Sequence, residues 1–222
     1  MVISRRVFIK SGICFGTSAL AGCATSQKLN INRNSEPETL GTYERIYGAI
    51  PDEKFPIPAV DLKKVDKRYL RRQVKFETKQ QVGTIIVNTR TFYLHLVQEG
   101  GMAMRYGVGL GRAGFDWSGR GVIRWKQEWP KWTPPQEMIE REPELQKWSA
   151  ENGGMPPGIN NPLGARALYI FQNGEDTLYR IHGSPEYWTI GKAVSSGCVR
   201  MMNQDVIDLY GRVPHGSKLV VV

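Results

Sequence analysis

The amino-acid sequence predicts a mainly β protein, a β-sandwich or open barrel with a few short helices. Three observations carry that expectation. From Val82 onward, runs rich in Val, Ile, Leu, Phe and Tyr follow the two-residue period of a pleated strand. Gly100-Gly101 and Asn173-Gly174 punctuate them where hairpins need left-handed backbone. Helix-start signals are confined to two short stretches of this β region. At 222 residues the chain is long enough for one domain with a core.

In order along the chain, residues 24 to about 40 are polar and read as a tether. Residues 41–60 carry Pro51, Pro56 and Pro58 and read as extended surface chain. Lys63, Lys64, Lys67, Arg68, Arg71, Arg72 and Lys75 have helical spacing, with Val60, Leu62, Val65, Tyr69, Leu70 and Val74 turned to a core. The cationic edge is read first as a solvated face and second as a grip on an anionic polymer. Strands are expected over 82–88, 90–98, 102–109, 121–125, 165–171, 177–182 and 218–222. Thr133 with Pro134 at the first position predicts a helix toward Glu142. Asn203 predicts another, running through Val206, Ile207 and Tyr210 to Gly211. Trp117, Trp125, Trp129, Trp132 and Trp148 fall in one stretch and are expected to pack, or else to wall a cleft or stack on sugar.

The first residues read as an address. Ser4-Arg5-Arg6-Val7-Phe8-Ile9-Lys10 has the twin-arginine export pattern, followed by a mildly apolar run too short to span a bilayer. Leu20-Ala21-Gly22-Cys23 reads as a lipobox with Cys23 as the lipidated residue. The domain plan is therefore a signal over 1–23, a tether and N-terminal extension over 24–80, and a catalytic domain over 81–222. An exported, periplasmic lipoprotein held at a membrane through Cys23 is expected. Net charge is +9, of which Arg5, Arg6 and Lys10 supply three, leaving +6 on the remainder. That balance suits anionic cell-wall polymer or lipid headgroups, and no motif points to nucleic acid.

Cys198 is the chemical signal. It is the one cysteine beyond residue 23 and sits in Ser195-Ser196-Gly197-Cys198-Val199-Arg200. A lone thiol in an oxidising compartment is a candidate nucleophile. A free cysteine is only a few per cent thiolate at neutral pH, so it needs a base. Of three histidines, His182 ends an expected strand and precedes Gly183, which leaves its ring at a turn. His95 lies within an alternating strand and His215 in a Pro-His-Gly turn, so both are weaker candidates. Backbone N–H groups around Gly197 and Cys198 can form an oxyanion hole. No Asp or Asn stands near His182 to orient it, which leaves a backbone carbonyl such as that of Gly183. Arg200 is expected to hold a substrate carboxylate or to position the loop. No spacing for zinc, haem or an iron–sulfur cluster is present, so no cofactor is expected.

His182-Gly183-Ser184, Ile190-Gly191, Ser195-Ser196-Gly197-Cys198-Val199-Arg200-Met201, Asp205-Val206 and Leu209-Tyr210 together resemble the signature of L,D-transpeptidases, the YkuD-type domain. Gly107-Val108-Gly109, Trp132-Thr133-Pro134-Pro135 and Asn161-Pro162-Leu163-Gly164-Ala165 extend the likeness over about residues 80–222. The resemblance implies a mostly β fold that crosslinks peptidoglycan. It implies Cys198 as nucleophile, His182 as acid/base, and Gly183, Ser196, Gly197 and Arg200 as supporting residues. The substrate it implies is the stem peptide, attacked at its third residue with release of D-alanine. The acceptor stays open between a neighbouring stem, a wall-attached protein, a free D-amino acid and water. The rival readings are a hydrolase on the same fold, a non-catalytic wall-binding lipoprotein, and a cofactor-loaded redox protein. A long insert over about 112–160 departs from simpler members of the family.

Overall fold

The eleven strands among the described residues form one open sheet whose order brings distant parts of the chain together. The computed structural model describes residues 39–111, 119–195 and 198–222. In chain order the strands are β1 (Arg72–Lys75), β2 (Ile85–Asn88), β3 (Tyr93–Gln98), β4 (Met102–Gly107), β5 (Gly109–Gly111), β6 (Gly119–Glu128), β7 (Arg166–Gln172), β8 (Glu175–Ser184), β9 (Ala193–Ser195), β10 (Val199–Met202) and β11 (Lys218–Val221). They lie in the order β1-β4-β3-β2-β11-β6-β7-β8-β10-β5-β9. Val108 alone separates β4 from β5, yet those strands stand near opposite ends of this order. A one-residue link cannot cross a flat sheet of that width, so the sheet must curl toward itself. This is the mainly β architecture that the alternating runs predict.

Inside the curl lies one apolar core, including Ile85, Leu94, Leu168, Ile181, Val199, Met201 and Leu219. Helix α3 (Asn203–Arg212) covers part of it through Val206 and Leu209 and packs against β7, β8 and β10. The predicted alternation of β3 is only half observed, because His95 and Val97 are buried as well as Leu94 and Leu96. Stacking of Phe76 on His95, with ring centroids 4.2 Å apart, contributes to covering the second face.

The N-terminal segment departs most from expectation. Residues 41–60 are not wholly extended: α1 (Leu40–Ile46) buries Tyr43, and Tyr47 follows it into the interior. No helix spans residues 60–75. Two short 3-10 turns, Leu62–Lys64 and Lys67–Tyr69, lead into β1 instead. Asp61 and Asp66 explain this, since each side chain accepts a backbone N–H two residues on and offers the chain a turn in place of a continuing helix. Val60, Val65, Tyr69 and Leu70 are buried, so the apolar assignment holds at those four positions despite the wrong element.

This segment is tied to α3 by buried polar groups. Tyr47 donates its hydroxyl to Asp205 at 3.2 Å, and Arg71 lies 3.7 Å from Asp205 and 3.2 Å from Asp208. Gln204 donates to the carbonyls of Gly48 and Pro58, both at 3.1 Å. Farther along, Glu53 pairs with the buried Arg166 and accepts from the Trp129 indole at 2.8 Å.

The other two helices start later than predicted or cap differently. Helix α2 (Gln136–Arg141) begins after Pro135 rather than at Pro134, because a residue before proline is disfavoured in helical conformation. Asn203 is the first residue of α3 rather than its cap. Its side-chain oxygen accepts the Ala165 N–H at 3.0 Å.

Candidate active site

Strands β8 and β10 run parallel, with Ile181 opposite Val199 and His182 opposite Arg200. Partners in register share a face, as do residues two apart on one strand. Arg180, His182, Cys198 and Arg200 therefore project from the same side of the sheet. Ile181 and Val199, between them in sequence, and Met201, just after Arg200, enter the core on the other side. The alternation that buries the core thus also assembles the polar face.

His182 is 4% exposed. Its Nδ1 lies 2.6 Å from the Gly183 carbonyl, which accepts a hydrogen bond from Nδ1–H and so leaves Nε2 with the lone pair. The sequence left a backbone carbonyl as orienter, and Gly183 supplies it. Burial holds the imidazole pKa down at about 4, with Arg200 and Arg180 adding to the effect while the carbonyls of Gly183 and Pro162 oppose it. The resting ring is therefore neutral at pH 7.

Glycine is required at position 183 for room. A methyl there would overlap the Asn203 side-chain oxygen and come within 3.0 Å of Val206 Cγ1. A side chain at Gly164, whose φ is +60, would also overlap the Asn203 oxygen. The loop before β7 is fixed by the buried Asn161. It donates to the carbonyls of Met155 and Pro156 at 3.3 and 3.0 Å and accepts the Leu163 N–H at 2.9 Å. This explains the Asn161-Pro162-Leu163-Gly164-Ala165 run: it carries the Pro162 carbonyl that acts on His182.

Cys198 is a half-buried thiol. Burial pushes its pKa up, opposed by a backbone hydrogen bond at Arg180 and by the charges of Arg180 and Arg200. The resting pair is therefore thiol and neutral imidazole rather than thiolate and imidazolium. Arg200 makes a 2.8 Å ion pair with Glu186, a half-exposed residue, so its first partner is within the protein. Ser196, Gly197 and Cys23 lie outside the described residues, as does Trp117.

Sequence reading missed three side chains of this face. Arg180 stands two residues before His182, a spacing that the alternation rule alone could have used. Its guanidinium makes two hydrogen bonds to Asp176, at 2.6 and 2.8 Å, and lies 4.3 Å from the Tyr169 ring centroid. Leu178, at φ 61, bends β8 between them, and Asp176 also accepts the Leu178 N–H at 2.9 Å. Of the tryptophans expected to pack, Trp129 is buried beside Glu53, while Trp125 is 51% exposed on β6. Among the described residues no three His, Cys, Asp or Glu side chains come together as a metal site.

A model of the YkuD L,D-transpeptidase catalytic domain matches residues 83–222. The chain belongs to this family. Within it, the chain is 34% identical over 122 residues to "Probable L,D-transpeptidase ErfK/SrfK" of Escherichia coli, covering 52% of this chain and 36% of that protein. It is 32% identical to "Probable L,D-transpeptidase YbiS" of Escherichia coli over 61% of this chain and 43% of that protein. The chain thus spans well under half the length of these curated relatives. A crystal structure from Brucella melitensis, described as "Probable carnitine operon oxidoreductase caia", shares 42% identity with 73% of this chain and 99% of its own, at a TM-score of 0.50.

Proposed function

We propose that this YkuD-family chain is a peptidoglycan L,D-transpeptidase that uses Cys198 as nucleophile and His182 as acid/base. The observation that carries the reading is the shared face of β8 and β10, with the imidazole oriented by the Gly183 carbonyl and the thiol two residues before Arg200, the register partner of His182.

The steps follow from that geometry. His182 Nε2 takes the Cys198 proton as sulfur attacks the carbonyl carbon of the third stem residue. The Gly183 and Pro162 carbonyls stabilise the imidazolium that forms. Backbone N–H groups around Gly197 and Cys198 serve the oxyanion, with Ser196 beside them. His182 then gives its proton to the departing amine of the terminal D-alanine, and a thioester remains. An amine acceptor attacks the thioester, passes a proton to His182, and restores the thiol as the amide forms. With water as acceptor the same site is a carboxypeptidase. Arg200, held by Glu186, keeps the nucleophile strand fixed. The chain acts as an exported protein, with Cys23 lipidated and the acceptor a neighbouring stem or a wall-attached protein.

Intact-protein mass after incubation with a stem tetrapeptide or a carbapenem tests this. A single adduct on the wild type, absent from Cys198→Ala, is expected, with D-alanine released from the tetrapeptide. Folded wild type that takes up no adduct and releases no D-alanine would overturn the reading in favour of a wall-binding module. The carboxypeptidase is distinguished by tripeptide product formed without any amine acceptor.

A further inference from the structure

We propose that Trp125, Tyr169 and Arg180 form a saccharide subsite in which the exposed Trp125 indole carries the sugar ring from which the stem peptide hangs. The proposal rests on the reading of Cys198 as acceptor of the stem acyl group, and it adds a determinant of which donors are used.

The register aligns these residues. Trp125 on β6 is opposite Tyr169 on β7, and Tyr169 is opposite Arg180 on β8. The β8–β10 register continues the row to Cys198, one residue before Val199. All four side chains therefore rise from one face in a line that ends at the thiol.

Contacts hold the row rigid. The Trp125 and Tyr169 rings stack at 4.4 Å and 28°. The Arg180 guanidinium covers Tyr169 at 4.3 Å and is held by Asp176 through two hydrogen bonds. Tyr169 is only 8% exposed, while Trp125 is 51% exposed. An indole backed on one side and open to solvent on the other is a preformed platform rather than a core residue.

The span decides what reaches it. Crossing from β10 to β6 takes three strand spacings, about 14 Å in all. Three extended residues, from the attacked carbonyl back to the first stem residue, cover about 10–11 Å. The linkage to the sugar supplies the remaining few ångströms. With the acyl carbon at Sγ, the peptide lies over Arg180 and Tyr169 and the sugar arrives at Trp125. The chemistry fits: a pyranose presents a face of weakly positive C–H groups, and an aromatic face is negative. The stem's carboxylates pass over the Arg180 cation.

The test compares a disaccharide-tetrapeptide with the free tetrapeptide, reading D-alanine release. The wild type should favour the disaccharide form in kcat/KM by about fivefold to tenfold, the size of one stacked aromatic contact. Trp125→Ala should bring that ratio to about 1, and Trp125→Phe should keep most of it. Calorimetric binding of both ligands to Cys198→Ala, with and without Trp125→Ala, should show the same preference without turnover. An equal ratio in wild type and Trp125→Ala would overturn the subsite while leaving the transpeptidase reading intact. A Trp125-dependent binding preference with no D-alanine released from either ligand would overturn the transpeptidase reading and leave the subsite standing.

Discussion

At the residue scale, the proposed Cys198–His182 pair stores its protons in the neutral form. Burial raises the thiol pKa and lowers the imidazole pKa to about 4, so the ring can accept a proton well below neutral pH while the thiol is not yet ionised. Acylation by a stem tetrapeptide should therefore hold its rate as pH falls through 6.5 and lose it only near pH 4, in a kcat/KM profile. A limb at pH 6.5 would mean an exposed imidazole. Arg180 acts on both groups in the same direction, since a cation favours the thiolate and disfavours the imidazolium. Arg180→Gln should raise both pKa values. Iodoacetamide alkylation of Cys198 would then set in at higher pH than in wild type, and the acid limb of turnover would move up. A profile unchanged at both ends would remove Arg180 from the site.

At the scale of elements, β8, β10 and α3 meet at Gly183. Gly183→Ala would push a methyl into the Asn203 side chain, at a cost of about 1–3 kcal/mol of overpacking. It should also lower activity through displacement of His182, seen in urea melts and D-alanine release. Asn203→Ala leaves the Ala165 N–H unpaired in a buried place and should cost about 1–3 kcal/mol. The same two residues show what could be read beforehand. Gly183 was legible because it sits beside a histidine in a specific run of residues. Asn203 was misread as a helix cap because local rules see an amide before a helix. They do not see a backbone N–H delivered from residue 165. Arg180 was legible in principle from strand alternation, whereas its Asp176 partner required the bend at Leu178. The cationic run over 63–75 had helical spacing, but Asp61 and Asp66 broke it into turns. The strands themselves were plain, because β-branched runs and glycine turns are local signals.

At the scale of the molecule, the N-terminal segment is joined to α3 through Asp205, a fully buried carboxylate whose pKa burial lifts to about 7. Because the folded value lies above the ordinary 3.8, its stabilising share is complete below pH 4 and is lost as pH rises through 7. Glu53, Asp176 and Asp208 have depressed values and act in the opposite sense, losing stability as pH falls. Comparison with Asp205→Asn isolates the one group: wild-type stability relative to the variant should decline between pH 4 and pH 7 in denaturant melts, and a flat difference would refute it. The sheet order has a further consequence in time. Strand β11, the last of the chain, lies between β2 and β6, pairing Ile85 with Leu219 and Gly121 with Leu219. A nascent chain therefore cannot close this sheet until residues 218–221 have left the ribosome. Until then β2 and β6 are paired on one side only, with β3 and β7, and each keeps an open edge at what will become the centre. Non-local pairing of this kind closes late, and any factor that guards the two open edges must do so until residues 218–221 emerge.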